Sequence, residues 1–314
     1  MRVCSLLPSA TETVFALGMG RLLVGVTHEC DYPPEAAAIP QVTRTNIAPD
    51  LASREIDAAV SSTLGSTGSL YELDRERLEQ LQPDLILSQR LCHVCAVSAD
   101  RVEDWVERLQ PQPRVLNLEP HSLADILANV GTVAEAMGCP AAGQALVEGL
   151  RGRIDAVAEK TRAISSRPRV LCLEWVDPPY CGGHWMKELV EIAGGLDELA
   201  QAGEPSRRIP WDQVLEFSPE VVLLACCGFP LPRCVKEAEI LAGFPRAREL
   251  PASRAGRVYA VDASSYFSRP GPRIVDSLEI LAHCLHPELF PPPPWEGAFC
   301  RIELKADRSS KLQS

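Results

Sequence analysis

"LEQLQPDLILSQ" at residues 78–89 and "QVLEFSPEVVLLAC" at residues 213–226 are built alike. Each closes a helical pattern, breaks at a proline followed by an acid, and then runs into an unbroken apolar stretch. A short apolar run bounded by turn residues is how a strand buried on both faces reads. A proline directly before it marks where the preceding helix must stop. Because the unit occurs once in each half of a 314-residue chain, it predicts an α/β protein assembled from two similar lobes.

Working outward from these two units, further strands are predicted at 2–7, 23–27, 114–118, 169–174 and 258–261, beside those at 84–88 and 221–225. Helical patterns fill the gaps, among them 10–17 after Ser9 as N-cap, and 73–81. Between the halves, 122–166 reads as largely helical, with Ser122 as N-cap and a break at Gly138-Cys139-Pro140. Leu123, Ile126, Leu127 and Val130 recur there at helical spacing. The division that follows is an N-terminal lobe at 1–120, a connecting spine helix at 121–166, a C-terminal lobe at 167–290 and a proline-rich extended tail at 291–314. The cleft between two such lobes is the default ligand site.

Composition narrows the function. Hydrophobic residues make up 46% and charged residues 23%, and the 27 prolines and 20 glycines are dispersed, as in a globular protein. A net charge of -11 disfavours a nucleic-acid partner, whose phosphates demand a positive surface. No apolar run approaches the roughly 20 residues that cross a bilayer. The first residues lack the long apolar core of an export signal. Twelve cysteines without small-domain spacing fit a reducing compartment. The expectation is therefore a cytoplasmic protein, or a periplasmic one if a leader has been removed.

In open parallel sheets ligands bind beyond the carboxyl ends of the strands. The segments just past the predicted strands hold His28, Cys30, Cys92, Cys95, His184, Cys226 and Cys227, together with Trp175, Trp185, Phe229 and Phe267. A neutral imidazole at His28 could ligate cobalt or iron, or hydrogen-bond to a ligand amide. His184, between a glycine pair and Trp185, is the best single contact in the second lobe, since glycines permit close approach. The aromatic residues suit a flat apolar wall for a macrocycle. Arg269 can hold an anionic ligand edge. Tyr71 completes the candidate list.

"SLLPSATETVFALG" at 5–18, "VGVTHECDYPPE" at 24–35, "LCHVCAVS" at 91–98, "LEWVDPPYCGGHW" at 173–185 and "YFSRPGPR" at 266–273 resemble one known group. They are similar to the cobalamin-binding subgroup of the helical-spine (class III) solute-binding proteins of ABC transporters, which take iron–siderophore chelates and cobalamin. The resemblance runs from Arg2 to about Phe290. It implies two Rossmann-like lobes, a spine helix, little hinge motion, and a cobalamin or related corrinoid held between the lobes. It also implies docking to an ABC permease through one acid on each lobe, and Glu76 and Asp212 match best.

The contrasting possibility is a cytosolic metalloprotein. Cys30, Cys92, Cys95 and Cys226 all follow strand ends, and four converging thiolates would bind zinc or an iron–sulfur cluster. A lone Cys-x-x-Cys at Cys92 and Cys95 does not establish that by itself. For catalysis there is no phosphate-binding glycine loop, no Gly-x-Ser-x-Gly and no His-Glu-x-x-His, and the reading is non-enzymatic.

Overall fold

A computed structural model describes residues 1–45, 51–66, 70–89, 102, 105–107 and 109–304. The chain forms two compact units, one of Met1–Gly152 with Pro270–Pro272, the other of Arg153–Arg269 with Arg273–Ser314.

In the first unit, β1 (Val3–Ser5), β2 (Leu23–Gly25), β5 (Leu85–Ser88) and β6 (Arg114–Asn117) form a parallel sheet in the order β2-β1-β5-β6. β3 (Thr43–Thr45) and β4 (Tyr71–Leu73) pair antiparallel as a separate ribbon. The sheet is buried on both faces, which explains its continuous apolar run. Val3, Leu85 and Leu87 pack on one side with Val14 and Val133. Cys4 and Ile86 pack on the other with Leu78 and Trp105. Each fully buried Leu or Ile among them contributes about 2 kcal/mol.

In the second unit β7 (Val170–Trp175), β8 (Tyr180–Cys181), β9 (Val221–Leu224), β10 (Val258–Val261) and β11 (Phe299–Ile302) are ordered β11-β10-β9-β7-β8. The three inner strands are parallel and the two edges antiparallel.

The repeated sequence unit is a repeated structure. The helices Arg75–Leu81 and Trp211–Phe217 both end on a left-handed residue before the proline, Gln82 at φ 41° and Ser218 at φ 54°. The amides of residues 84 and 85 then donate to the Arg2 carbonyl (2.8 and 3.2 Å), and those of residues 220 and 221 to the Arg169 carbonyl (2.8 and 3.0 Å). The Arg2 amide returns a bond to the Asp84 carboxylate at 2.7 Å, and the Arg169 amide one to Glu220 at 3.0 Å. Even the guanidinium groups agree, Nε of Arg2 reaching the Leu81 carbonyl and Nε of Arg169 that of Ser218. The acid after each proline is thus a strand-start clamp, which is why both copies carry one.

The helical stretch between the halves is two helices, Leu123–Ala136 and Pro140–Arg162, broken where the sequence predicts. Ser122 caps the first through a reciprocal box with Asp125. Two other expectations need correction. Ser9 is the second residue of its helix, which starts at Pro8 without a side-chain cap. A proline at the first position has no N–H to satisfy and a fixed helical φ, so the serine is not needed there. Residue 73 closes β4, and Asp74 caps the helix that follows by accepting from the Arg77 amide at 3.1 Å.

The tail is also more structured than its prolines suggest. Residues 299–302 pair with all four residues of β10. Four consecutive prolines end only at 294, which leaves the following segment free to donate to a sheet edge.

Candidate functional site

At the carboxyl end of the first sheet, the chain leaving β2 turns at His28 and comes under the β3–β4 ribbon. The Thr43 hydroxyl meets both the His28 amide (3.2 Å) and Nδ1 (2.8 Å), fixing the ring. Burial holds this imidazole below its ordinary pKa, so it is neutral at physiological pH. The Tyr71 ring lies 5.6 Å from it, and the Tyr71 hydroxyl donates to Glu29 at 3.5 Å. Nε2 of His28 is buried with no hydrogen-bond partner among the described residues, and so is the Ser88 hydroxyl at the end of β5.

At the carboxyl end of the second sheet, Trp175 packs against Phe229 with ring centroids 5.0 Å apart, and the Arg233 guanidinium lies 3.9 Å over the Phe229 ring. The indole N–H of Trp175 is a third buried polar atom with no hydrogen-bond partner among the described residues. Beside this corner is a recess of about 330 Å³, its open mouth included, lined by Cys172, Glu174, His184, Trp185, Phe267 and Ser268 among others. His184 stacks on Trp185, and Trp185 is anchored by its N–H to the Phe267 carbonyl at 3.2 Å. His184 adopts φ 52°, a conformation side chains rarely take. Its amide donates to the Glu204 carbonyl at 2.6 Å and its carbonyl accepts from Gly203, which hold it there.

Three sequence expectations meet the structure here. A Cβ on Gly183 would sit 2.2 Å from the Ser206 amide, so the neighbouring backbone requires this glycine, and Gly182 and Gly183 both line the recess beside His184. Trp185, Phe267 and Arg269 are buried, 6%, 3% and 6% exposed, so the first two line the recess from within rather than forming an open wall.

The third concerns the expected thiolate cluster. Cys30 lies in the core with its sulfur 3.1 Å from the hydroxyls of both Thr11 and Thr27. Cys226 is fully buried. No group of three or more metal-ligating side chains occurs among the described residues. Cys92 and Cys95 lie outside the described residues.

Glu76 and Asp212 are both exposed, and each is the second residue of the helix leading into the repeated strand. Nothing in the sequence points to Thr43 or Ser88, since a hydroxyl in a strand of three or four residues has no periodic signature. Glu174 was readable, lying two residues before the proline-rich turn at the end of a predicted strand.

Comparison with known proteins places this geometry. The family model described as "Periplasmic binding protein" matches residues 3–264. The chain belongs to this family. A vitamin B12-binding protein of Vibrio cholerae is 23% identical over 281 residues, covering 88% of this chain and 86% of the relative. An uncharacterized ABC transporter substrate-binding lipoprotein of Bacillus subtilis, YvrC, is 24% identical over 92% of this chain and 81% of its own. The periplasmic heme-binding protein RhuT from Roseiflexus sp. RS-1 superimposes with a TM-score of 0.68 at 24% identity, over 91% of this chain and 98% of that one. Periplasmic binding proteins are solute binders of ABC transporters and not enzymes. The expectation of a cytoplasmic protein finds no support in these relatives, which are periplasmic or lipoproteins, and neither does the zinc or iron–sulfur alternative. Among the described residues no helix is long and apolar enough to cross a membrane.

Proposed function

We propose that this periplasmic binding protein family member binds cobalamin or a related corrinoid and passes it on unchanged outside the cytoplasm. The observation that supports the reading is that each unit, taken by itself, has buried polar atoms without hydrogen-bond partners among the described residues at carboxyl ends of its strands, Nε2 of His28 and the Ser88 hydroxyl in the first and the Trp175 N–H in the second. A buried polar atom without a partner costs about 1–3 kcal/mol, and a ligand presenting a polar rim would remove that cost. A corrin supplies such a rim through its amides, together with a flat apolar face for the Trp175–Phe229 corner. Neutral His28, steered through Nδ1 by Thr43, suits either a bond to an amide or a bond to the central metal. Glu76 and Asp212, at matching positions of the two repeats, are the proposed docking acids for a permease.

Titration with cyanocobalamin, followed by tryptophan emission and by the visible corrin bands, tests this. Binding at micromolar concentration or below is expected, weakened roughly tenfold by His28→Ala and by Trp175→Phe through loss of one hydrogen bond each. A parallel titration with hemin separates the macrocycles: preference for hemin would overturn the corrinoid assignment, and no response to either would overturn chelate binding.

A further inference from the structure

The recess in the second unit holds a charge that the ligand reading does not use. Every described residue that lines it, from Cys172 to Ser268, belongs to that unit. No lysine or arginine is among them, and Glu174 is the one carboxylate. Glu174 is the penultimate residue of β7 and is half-buried. Its Oε2 accepts the Gly183 amide at 2.9 Å, which ties the acid to a glycine of the same lining. Its main chain is held too, since its carbonyl accepts the Cys227 amide at 3.0 Å. The acid is therefore positioned, among the apolar side chains of Trp185, Met186, Ala225 and Phe267.

A carboxylate set among apolar side chains binds an N–H donor strongly and repels a second carboxylate, because little water intervenes to screen the pair. Ser268 supplies the complement. Its oxygen accepts the Gly228 amide at 3.2 Å, and its hydroxyl proton is left to donate. Trp185 can take neither part, since its N–H is committed to the Phe267 carbonyl. A primary amide presents both N–H groups and a carbonyl, so it can use Glu174 and Ser268 together. An ionised carboxyl arm can use only Ser268. At about 330 Å³, open mouth included, the recess has the size for such an arm rather than for a whole tetrapyrrole.

We propose that Glu174 is a specificity-determining residue, admitting macrocycles that carry amide arms and rejecting those that carry carboxylate arms. The inference deepens the corrinoid reading and rests on it. Corrins carry amides and hemes carry propionates, so this one acid separates the two classes by repulsion as well as by attraction.

The test compares one ring with two sets of arms, dicyanocobyrinic acid heptaamide and dicyanocobyrinic acid. Cyanide fills both axial positions of cobalt in each, so His28 cannot act as a metal ligand in either. Both are titrated into the full chain and followed by tryptophan emission at fixed ionic strength and pH 8, where an unperturbed imidazole is uncharged. Wild type should bind the heptaamide at least roughly a hundredfold more tightly than the acid. Since the acid is strongly anionic and the protein carries a net charge of -11, the readout is how that ratio changes on substitution. Glu174→Gln keeps the shape and can still accept the Gly183 amide, and it should cut the ratio at least roughly tenfold, chiefly by tightening the acid. Glu174→Ala gives the same comparison should the glutamine variant not fold. An unchanged ratio in the variant would overturn the inference and leave corrinoid binding standing. Failure of wild type to bind the heptaamide would instead overturn the corrinoid reading, and this inference with it.

Discussion

Asp197 shows how much one residue can carry outside the candidate site. It is 1% exposed, and its Oδ1 accepts the Leu199 and Ala200 amides at 3.0 Å each, while Lys187 donates to its carbonyl. Burial nevertheless raises its carboxyl to about 6, against a model-compound value near 3.9. The folded state therefore binds a proton more tightly than the unfolded chain between about pH 4 and 6. Stability is greatest below that window, falls as pH rises through it, and stays lower above. Denaturant melts of the wild type should lose roughly 2–3 kcal/mol across pH 4 to 6 from this group. Asp197→Asn should flatten that part of the profile, and an unchanged slope in the variant would refute the assignment. No sequence pattern marks Asp197, because what singles it out is its burial, which no periodicity announces. His28 differs: its place after a predicted strand made it legible, while its steering by Thr43 did not, since the ribbon that delivers Thr43 joins strands 26 residues apart.

At the scale of elements, all seven predicted strands are present, and the reason is physical. All seven lie in the interiors of the two sheets or pair on a parallel edge, and the five interior strands β1, β5, β7, β9 and β10 are buried with a continuous apolar run. The strands that sequence did not reveal are β3, β4, β8 and β11, all antiparallel and two to four residues long. At that length alternation has no room to show. The repeated helix ends offer a direct experiment. Gln82 and Ser218 occupy left-handed positions that cost an ordinary residue about 1 kcal/mol over glycine. Gln82→Gly and Ser218→Gly should each raise stability by roughly 0.5–1 kcal/mol in urea melts, after the loss of some unfolded-state restriction. Destabilisation by either would show that the side chain, rather than the backbone, matters there.

For the whole molecule, family membership sets the role, and the same structural unit recurs once in each half. Glu76 and Asp212 stand at the same position of the same structural unit and are both exposed. Reversing both charges, Glu76→Arg with Asp212→Arg, should leave cyanocobalamin affinity unchanged and abolish uptake by proteoliposomes holding the cognate permease. Uptake at the wild-type rate would remove these acids from the docking proposal. That two lobes exist was legible from one repeated motif. The ligand was not, because the groups that would choose it are single buried atoms rather than patterns.

The short Pro270–Pro272 segment belongs with the first unit although the chain on either side belongs to the second, and a Cβ on Gly271 would come within 3.0 Å of the Ser9 carbonyl. Neither unit is therefore one continuous stretch of chain. A gene cut after Gly152 would encode the first sheet without the tripeptide that covers Ser9, so the first unit produced alone lacks that contact, and only a second fragment carrying residues 270–272 restores it.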